Sequence, residues 1–236
     1  MIKNIKIMKK NLFWTGGFDS TFRLLQLLDD DLVIEINLFY ISLVIDNVEY
    51  SDVRRKSIPN EINTMLQILR KIDTNKIKKF NIIGKNEDLI RYSFMFNFNF
   101  MNFIQKQHIN YSDKNKIYFF DLLSLDIISR PINQWGAITQ ILDDLNIEAE
   151  ICIEKDGGIW SKIKNYVIDG RIQFDLLPAL SAFSKYQIPL FDVSREEMLK
   201  NSNDNWIRIL EITWSCWYPK DNKPCGRCFT CKRRPL

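Results

Sequence analysis

Two short stretches carry residue types whose spacing could do chemistry. The first, Thr15-Gly16-Gly17-Phe18-Asp19-Ser20-Thr21, sets two of the chain's 8 glycines side by side. Adjacent glycines permit positive φ and remove the Cβ atoms that would hold an anion away from the backbone. If a helix starts here, its first N–H groups have no intrahelical partner and lie at the positive end of the helix dipole. Thr15, Ser20 and Thr21 add hydroxyls around the same turn, which makes it suited to phosphate. Asp19 cannot itself attract an anion; in this reading it helps hold Mg2+ or fixes the loop. The stretch has neither the GK[ST] ending nor the G-x-G-x-x-G spacing of better-known phosphate loops. A tight strand-to-helix turn with Asp19 or Ser20 as N-cap, needing no ligand, stays open beside the phosphate reading.

The second stretch holds Cys216, Cys225, Cys228 and Cys231, separated by eight, two and two residues. Thiolates at this density suit tetrahedral Zn2+, and Pro224 and Gly226 let the backbone turn sharply enough for neighbouring sulfurs to share one ion. Disulfides are the alternative, disfavoured by the overlapping C-x-x-C spacings and by the absence of a secretory leader in the N-terminal MIKNIKIMKKNLFW. Four thiolates would close the coordination sphere and leave no position for an activated water, so the zinc is expected to be structural. Lys220, Lys223, Arg227, Lys232, Arg233 and Arg234 surround it. They fit either a grip on nucleic acid or another anion, or a solvated basic tail. Cys152 stands alone and is expected to be a small buried apolar side chain.

The elements that must position these groups can be read from periodicity. Residues 11–15 read as a short buried strand, and 18–31 as a helix carrying Phe22, Leu24, Leu25, Leu27 and Leu28. Residues 33–45 read as a second strand, 57–72 as a helix with Ile62, Met65, Leu66 and Leu69 on one face, 132–145 as a helix and 147–154 as a strand. Strands alternating with helices predict an α/β fold with a mostly parallel sheet covered on both faces. The simplest partition is an α/β domain over residues 1–212 with a four-cysteine segment over 213–236. The 236 residues, 46% hydrophobic and 26% charged, suffice for a full core. No apolar run approaches the roughly 18 residues of a membrane span, so a cytoplasmic location is expected. The net charge of +4 names no partner, and a single histidine, His108, disfavours Ser-His-Asp triads and multi-histidine metal sites.

TGGFDST resembles the pyrophosphate loop S-G-G-x-D-S-[TS] of the PP-loop ATPase superfamily, with Thr15 in place of serine. Taken with T-W-S-C and P-C-G-x-C-x-x-C-x-x-R near the other end, the chain resembles the 7-cyano-7-deazaguanine synthase family. PLFDVSREEMLK (189–200) looks like that family's apolar segment followed by K-x-E, with Arg195 in the lysine position. YSDVRRKSIPNEI (50–62) looks like its Y-G-Q-R-H-x-x-E-I stretch, with Arg54 or Arg55 and Glu61 as the matches. The resemblance implies a Rossmann-like, adenine nucleotide alpha hydrolase-like domain, ATP and Mg2+ as cofactors, a structural zinc and a homodimer. It implies Asp19 and Ser20 as catalytic residues, and Thr15, Gly16, Gly17, Phe18, Asp19, Ser20, Thr21, Arg54 and Glu61 as the nucleotide site. The implied reaction adenylates a 7-deazaguanine carboxylate, converts it with ammonia to the amide and, in a second ATP-dependent step, to the nitrile.

The chain also departs from the pattern. The family's Y-P-D-C-R-x-x-[FY] segment is represented only by EKDGGIWSKI (154–163), with Asp156 retained and the Cys-Arg pair missing, and its P-x-R-N only by RPINQWGAI (130–138). A changed base pocket implies a changed acceptor, so relatives that stop at the amide or pass the acyl group to a protein amine stay open. So does a non-catalytic module that binds nucleotide or nucleic acid, although nucleic acid is not the expected partner and a membrane is not expected at all. Phe94, Phe96, Phe98 and Phe100 alternate with Met and Asn and read as a strand with one apolar face. A purine-stacking lid is the other reading of that stretch, with Trp135, Trp160 and Trp217 competing for the role. Asp121 and Asp126 suit either a helix cap or the metal.

Overall fold

The computed structural model describes residues 7–42, 57–84, 109–111, 117–121, 146–155, 157, 160–173, 186–216 and 218–233. Strand β1 (Met8–Phe13) leads through the glycine turn into helix α1 (Phe18–Asp29), then β2 (Val33–Ser42), α2 (Ile58–Leu69) and β3 (Ile77–Gly84). β4 (Ile109–Tyr111), β5 (Ile117–Asp121) and β6 (Ala149–Glu150) follow. Then come α3 (Trp160–Ile163), the hairpin β7 (Val167–Ile168) and β8 (Arg171–Ile172), and β9 (Tyr186–Gln187). Helices α4 (Arg195–Lys200), α5 (Asp204–Glu211) and α6 (Phe229–Lys232) close the described chain.

Among the described residues seven strands form one sheet in the order β4-β5-β3-β2-β1-β6-β9. All its pairings are parallel except β4 with β5. From β1 the chain steps outward through β2 and β3 to β5; β6 and β9 then fill the opposite side of β1. The order therefore reverses between β1 and β6, and in open α/β sheets such a switch point leaves a crevice at the carboxyl ends of the strands. The glycine turn follows β1 at that edge, and residues 151–155 follow β6 at the same edge.

Side-chain alternation along the strands builds two cores. Leu12, Trp14, Leu38, Tyr40, Phe80 and Ile82 face α1 and α2, and the same core takes in Met198 of α4 with Ile209 and Leu210 of α5. Their neighbours Phe13, Phe39, Ile41 and Ile83 face the other way and pack with Ile151, Ile153, Ile163, Tyr186 and Ile188. Both faces are thus covered, as the alternation of strands and helices predicts. Helix α1 buries Phe22, Leu24, Leu25 and Leu27, and α2 buries Ile62, Met65 and Ile68, as their apolar spacing requires. Ser194 and Glu197 form a capping box at the start of α4, and Asn203 Oδ1 accepts the Trp206 amide to start α5.

The expected elements at 11–15, 18–31 and 57–72 are present with shifted ends, and the described part of 33–45 is strand over Val33–Ser42. The strand expected over 147–154 is shorter: regular pairing is confined to Ala149–Glu150, because β6 lies between two strands that each touch it over a few residues only. Glu150 compensates for the short ladder. Its buried carboxylate takes Arg23 Nε at 2.7 Å and Lys10 Nζ at 2.9 Å, which ties β6 to α1 and β1 across the switch point. Burial works against ionisation there, but Arg23 and Lys10 hold the Glu150 carboxyl below its usual range. The helix expected over 132–145, the Phe94–Phe100 stretch, Arg54, His108, Asp126, Trp135, Asp156, Trp217 and Arg234 lie outside the described residues. Among the described residues no helix is long and apolar enough to cross a membrane.

The turn that ends β1 depends on one of its glycines more than on the other. Gly16 has φ +68, and a Cβ there would lie 2.8 Å from Met65 Cγ and 3.3 Å from the Glu61 carbonyl. Gly17 has an ordinary φ of −77, and a Cβ would meet the Thr15 hydroxyl at 3.2 Å. Gly16→Ala is therefore expected to cost about 2 kcal/mol or more from the left-handed conformation and the approach of α2, and Gly17→Ala distinctly less. Urea unfolding of the two variants against wild type measures this; equal losses would contradict the account.

Candidate functional site

Gly17 is the N-cap of α1, with extended backbone and no side-chain cap. This corrects the alternative in which Asp19 or Ser20 caps the helix. Both lie inside the first turn, because Thr21 N–H makes the first intrahelical bond to Gly17 O at 3.0 Å. The amides of Phe18, Asp19 and Ser20 precede that bond at the carboxyl edge of the sheet, the arrangement in which helix termini bind anions.

Three hydroxyls shape the turn. Ser20 Oγ lies 3.3 Å from Gly17 O, to which it donates, and 3.4 Å from the Thr15 amide, from which it accepts. Thr15 Oγ1 is 3.5 Å from the same oxygen. Thr21 is fully buried and accepts from the Trp14 indole at 3.0 Å, so it braces the loop from behind. The turn is held from outside as well, since Trp214 N–H donates to Gly16 O at 2.9 Å.

Glu61, on α2, lies beneath the turn. Its backbone carbonyl abuts Gly16, while its buried carboxylate accepts from Tyr40 Oη at 2.8 Å and Ser57 Oγ at 2.7 Å. The structure thus brings residues 15–21 together with Glu61, and touches the glycines with the backbone of Glu61 rather than with its carboxylate.

Asp19 is the electrostatic centre of the site. Its side chain is 23% exposed, but Oδ1 is shut off from solvent and lacks an aligned hydrogen bond. The nearest cation is Arg195, whose Nη2 lies 3.3 Å from Oδ1. Burial lifts the Asp19 carboxyl to about 7, against the pull of Arg195 and with help from the nearby Glu154 carboxylate. Arg195 in turn donates Nε to Glu154 Oε2 at 2.7 Å, and Arg233 Nη1 lies 2.9 Å from Glu154 Oε1. Glu154 has no local sequence signature, and its place beside the loop comes from the sheet topology. A buried carboxylate oxygen without an aligned hydrogen bond thus lies in the first turn of α1, beside the amides that start the helix.

A cleft of about 590 Å³ lies on the outer side of α2, lined by Asn60, Asn63, Thr64, Gln67, Thr213 and Trp214 among others. Among the described residues no charged side chain lines it.

The four cysteines come together as the spacing requires, with Sγ atoms all within 4.8 Å of one another and Cys225 to Cys231 at 3.9 Å. Sulfurs on one tetrahedral Zn2+ lie about 3.8 Å apart, so this geometry fits a metal. Amides already point at the sulfurs: Cys225 N–H at Cys216 Sγ, 3.2 Å, and Cys228 N–H at Cys225 Sγ, 3.4 Å. Without a cation, burial and then the neighbouring Cys228 and Cys216 push the Cys231 thiol up to about 12. Thiols this crowded become thiolates together only around a cation. Asp221 and Asn222, at φ 50 and 59, turn the chain between Lys220 and Lys223, whose backbones pair in both directions.

The fold and these sites define an α/β protein with an anion-suited glycine turn at the switch point of its sheet and a four-cysteine group able to hold a metal ion. Residues 179–235 match the family model described as queuosine biosynthesis protein QueC. The likeness to that family lies in this C-terminal stretch. Over 50 residues it is 44% identical to the 7-cyano-7-deazaguanine synthase of Prochlorococcus marinus strain AS9601 and 42% identical to that of strain MIT 9301. Each alignment covers 21% of this chain and 21% of the relative's length. No solved structure matches the chain.

The lifted Asp19 gives a stability test whose sign is fixed. The carboxyl holds its proton more tightly in the fold than at its ordinary value of 3.8, so its stabilising contribution is present at low pH and is lost as pH rises from there through about 7. Asp19→Asn should therefore match wild type near pH 4 and exceed it above pH 7 by about 2 kcal/mol, after allowance for the partly exposed side chain. Urea melts at the two pH values, without nucleotide or Mg2+, decide; a gap independent of pH would refute the account.

Proposed function

We propose that the chain is an ATP-dependent ligase that activates the carboxylate of 7-carboxy-7-deazaguanine as an acyl adenylate and converts it with ammonia to the amide and then the nitrile. The observation that carries this reading is the niche at the start of α1, where helix-start amides lie beside the buried, incompletely bonded Oδ1 of Asp19. The family match at residues 179–235 supports it independently.

In this reading Gly16, Gly17, Phe18 and Ser20, with Thr15, hold the pyrophosphate part of ATP through backbone amides and hydroxyls, while Thr21 keeps the loop in shape. Asp19 holds Mg2+, which offsets the charge gathering on the leaving pyrophosphate. Glu61 backs Gly16, and Arg54 joins the nucleotide site as the motif likeness assigns. The substrate carboxylate oxygen attacks the α-phosphorus, the bond to the bridging oxygen breaks, and pyrophosphate leaves. Ammonia then adds to the acyl carbon, AMP departs with the C–O electron pair, and loss of a proton leaves the amide. For the nitrile, the amide oxygen attacks the α-phosphorus of a second ATP and pyrophosphate leaves; departure of AMP with the C–O electron pair and of both N–H protons then makes the triple bond. The loop amides lower the barrier by meeting the charge that develops on the bridging oxygen as its bond to the α-phosphorus breaks.

The four-cysteine group is, in this proposal, a structural zinc site that contributes on the order of 10 kcal/mol to folding of the tail. The protein works as a cytoplasmic homodimer and engages neither membrane nor nucleic acid. A second reading keeps the adenylation but stops at the amide or gives the acyl group to another amine, such as one on a protein. It is favoured by the confinement of the family likeness to residues 179–235, which leaves most of the α/β body free to read a different acceptor.

Incubation with MgATP, 7-carboxy-7-deazaguanine and ammonia should release AMP and pyrophosphate, and mass spectrometry of the product separates amide, nitrile and protein adduct. No AMP formation would leave only a non-catalytic binding module. Asp19→Ala should lower turnover by about a hundredfold or more with the circular dichroism of the folded protein retained; full activity in this variant would remove Asp19 from the site. Cys228→Ala should lose the metal, measured by elemental analysis, and lower the solubility of the chain. Retention of stoichiometric zinc would show that the ion is not held by this group.

A further inference from the structure

Arg195 makes a polar contact through each of its three guanidinium nitrogens. Nε donates to Glu154 at 2.7 Å, Nη1 donates to the backbone carbonyl of Arg233 at 2.8 Å, and Nη2 lies 3.3 Å from Asp19 Oδ1. The guanidinium carbon stands 5.3 Å from the centre of the Phe18 ring. Arg233, the residue that ends α6, closes the circuit through its own 2.9 Å pair with Glu154 and lies over Phe229. The side chain of Arg195 is 14% exposed and that of Glu154 4%, so the contacts form in a largely dry space. A guanidinium presents its donors in a rigid planar fork, so acceptors spread around its plane are held in fixed directions, whereas an ammonium's three donors rotate about one point.

Three stretches far apart in sequence therefore converge on one side chain: the glycine turn, the segment after β6 and the end of the cysteine tail. We propose that Arg195 is a positioning residue that conveys the seating of the four-cysteine tail to Asp19. The Arg233 side chain, paired with Glu154, seats the carbonyl of the same residue on the guanidinium, and the guanidinium sets where the Asp19 carboxylate points. This rests on the loop's being the nucleotide site. Seating of the tail then strengthens nucleotide binding, and nucleotide binding strengthens the seating of the tail by the same factor.

The competing account is a plain staple, since buried ion pairs can fasten two segments without influencing either. A double-mutant cycle on the dissociation constant for MgATP, measured by calorimetry well below the melting temperature, separates the two. Arg233→Ala should weaken MgATP binding about tenfold in the wild-type background and leave it unchanged where Arg195→Ala is already present. An equal loss in both backgrounds, or no loss in the single variant, would overturn the proposal.

Amide hydrogen exchange at residues 17–21 reads the same link without ligand. Arg233→Ala and Arg195→Ala should each speed exchange there, and unchanged protection in both overturns the proposal. Should Arg195→Ala fail to fold, Arg195→Lys replaces it in the cycle and in the exchange measurement with the same expectation. If wild-type protein binds no MgATP, the nucleotide reading falls, and the exchange measurement still decides whether the tail positions the loop.

Discussion

A carboxylate held where it is poorly solvated governs this structure. Asp19 is carried to the switch point of the sheet by the first turn of α1, and its inner oxygen meets neither water nor an aligned donor. Holding a charge in such a place is costly, and the surroundings are what remains once that cost is contained. Arg195 supplies the opposite charge, Glu154 fixes Arg195, and Gly16 permits the chain to turn sharply enough to bring Asp19 there at all. Stability is given up at the same point where electrostatic leverage on a bound phosphate would be greatest, a usual feature of sites that do chemistry.

Topology explains why those groups meet. A sheet built outward from β1 in both directions opens a crevice beside the end of β1, and everything that follows β1 or β6 empties into it. The first core fixes α1 by Phe22, Leu24, Leu25 and Leu27, so the helix start cannot move away from the sheet edge. Glu150, gripped by Arg23 and Lys10, anchors the short β6 and with it the path to Glu154. Rigid elements therefore hold the loop from below, while Trp214 and Arg195 hold it from above.

Local pattern made one layer of this legible. Apolar spacing located α1 and α2, β-branched runs located β2, and the glycine pair and cysteine spacing marked two sites, because each of these signals lies within a few residues of the structure it encodes. The pairing of Arg195 with Glu154 and with the Arg233 carbonyl spans 41 and 38 residues of sequence, and no periodicity reports it. The division of labour between the glycines was equally hidden. Gly16 needs its freedom because Met65 crowds it, and that contact exists only after α2 has packed. Thr21 faces inward rather than into the turn for a similar reason: the Trp14 indole, once buried, must find an acceptor. Capping read from residue type pointed to Asp19 or Ser20, whereas packing of Phe18 into the core begins the helix two residues before Ser20 and leaves Gly17 at the cap.

The tail completes the argument, because it has almost no core of its own. Phe229 is 50% exposed and Tyr218 41%, and of the four cysteines only Cys216 is buried. A hairpin turn and a one-turn helix cannot offset the entropy of ordering this stretch by burial alone. Its shape must come from the sulfurs, and its position from Trp214 against Gly16 and Arg233 against Glu154. Those two anchor points are the outer supports of the glycine turn. A segment that touches the loop directly at Trp214, and by way of Arg195 at Arg233, is built into the loop's architecture, so the two sites share one set of supports.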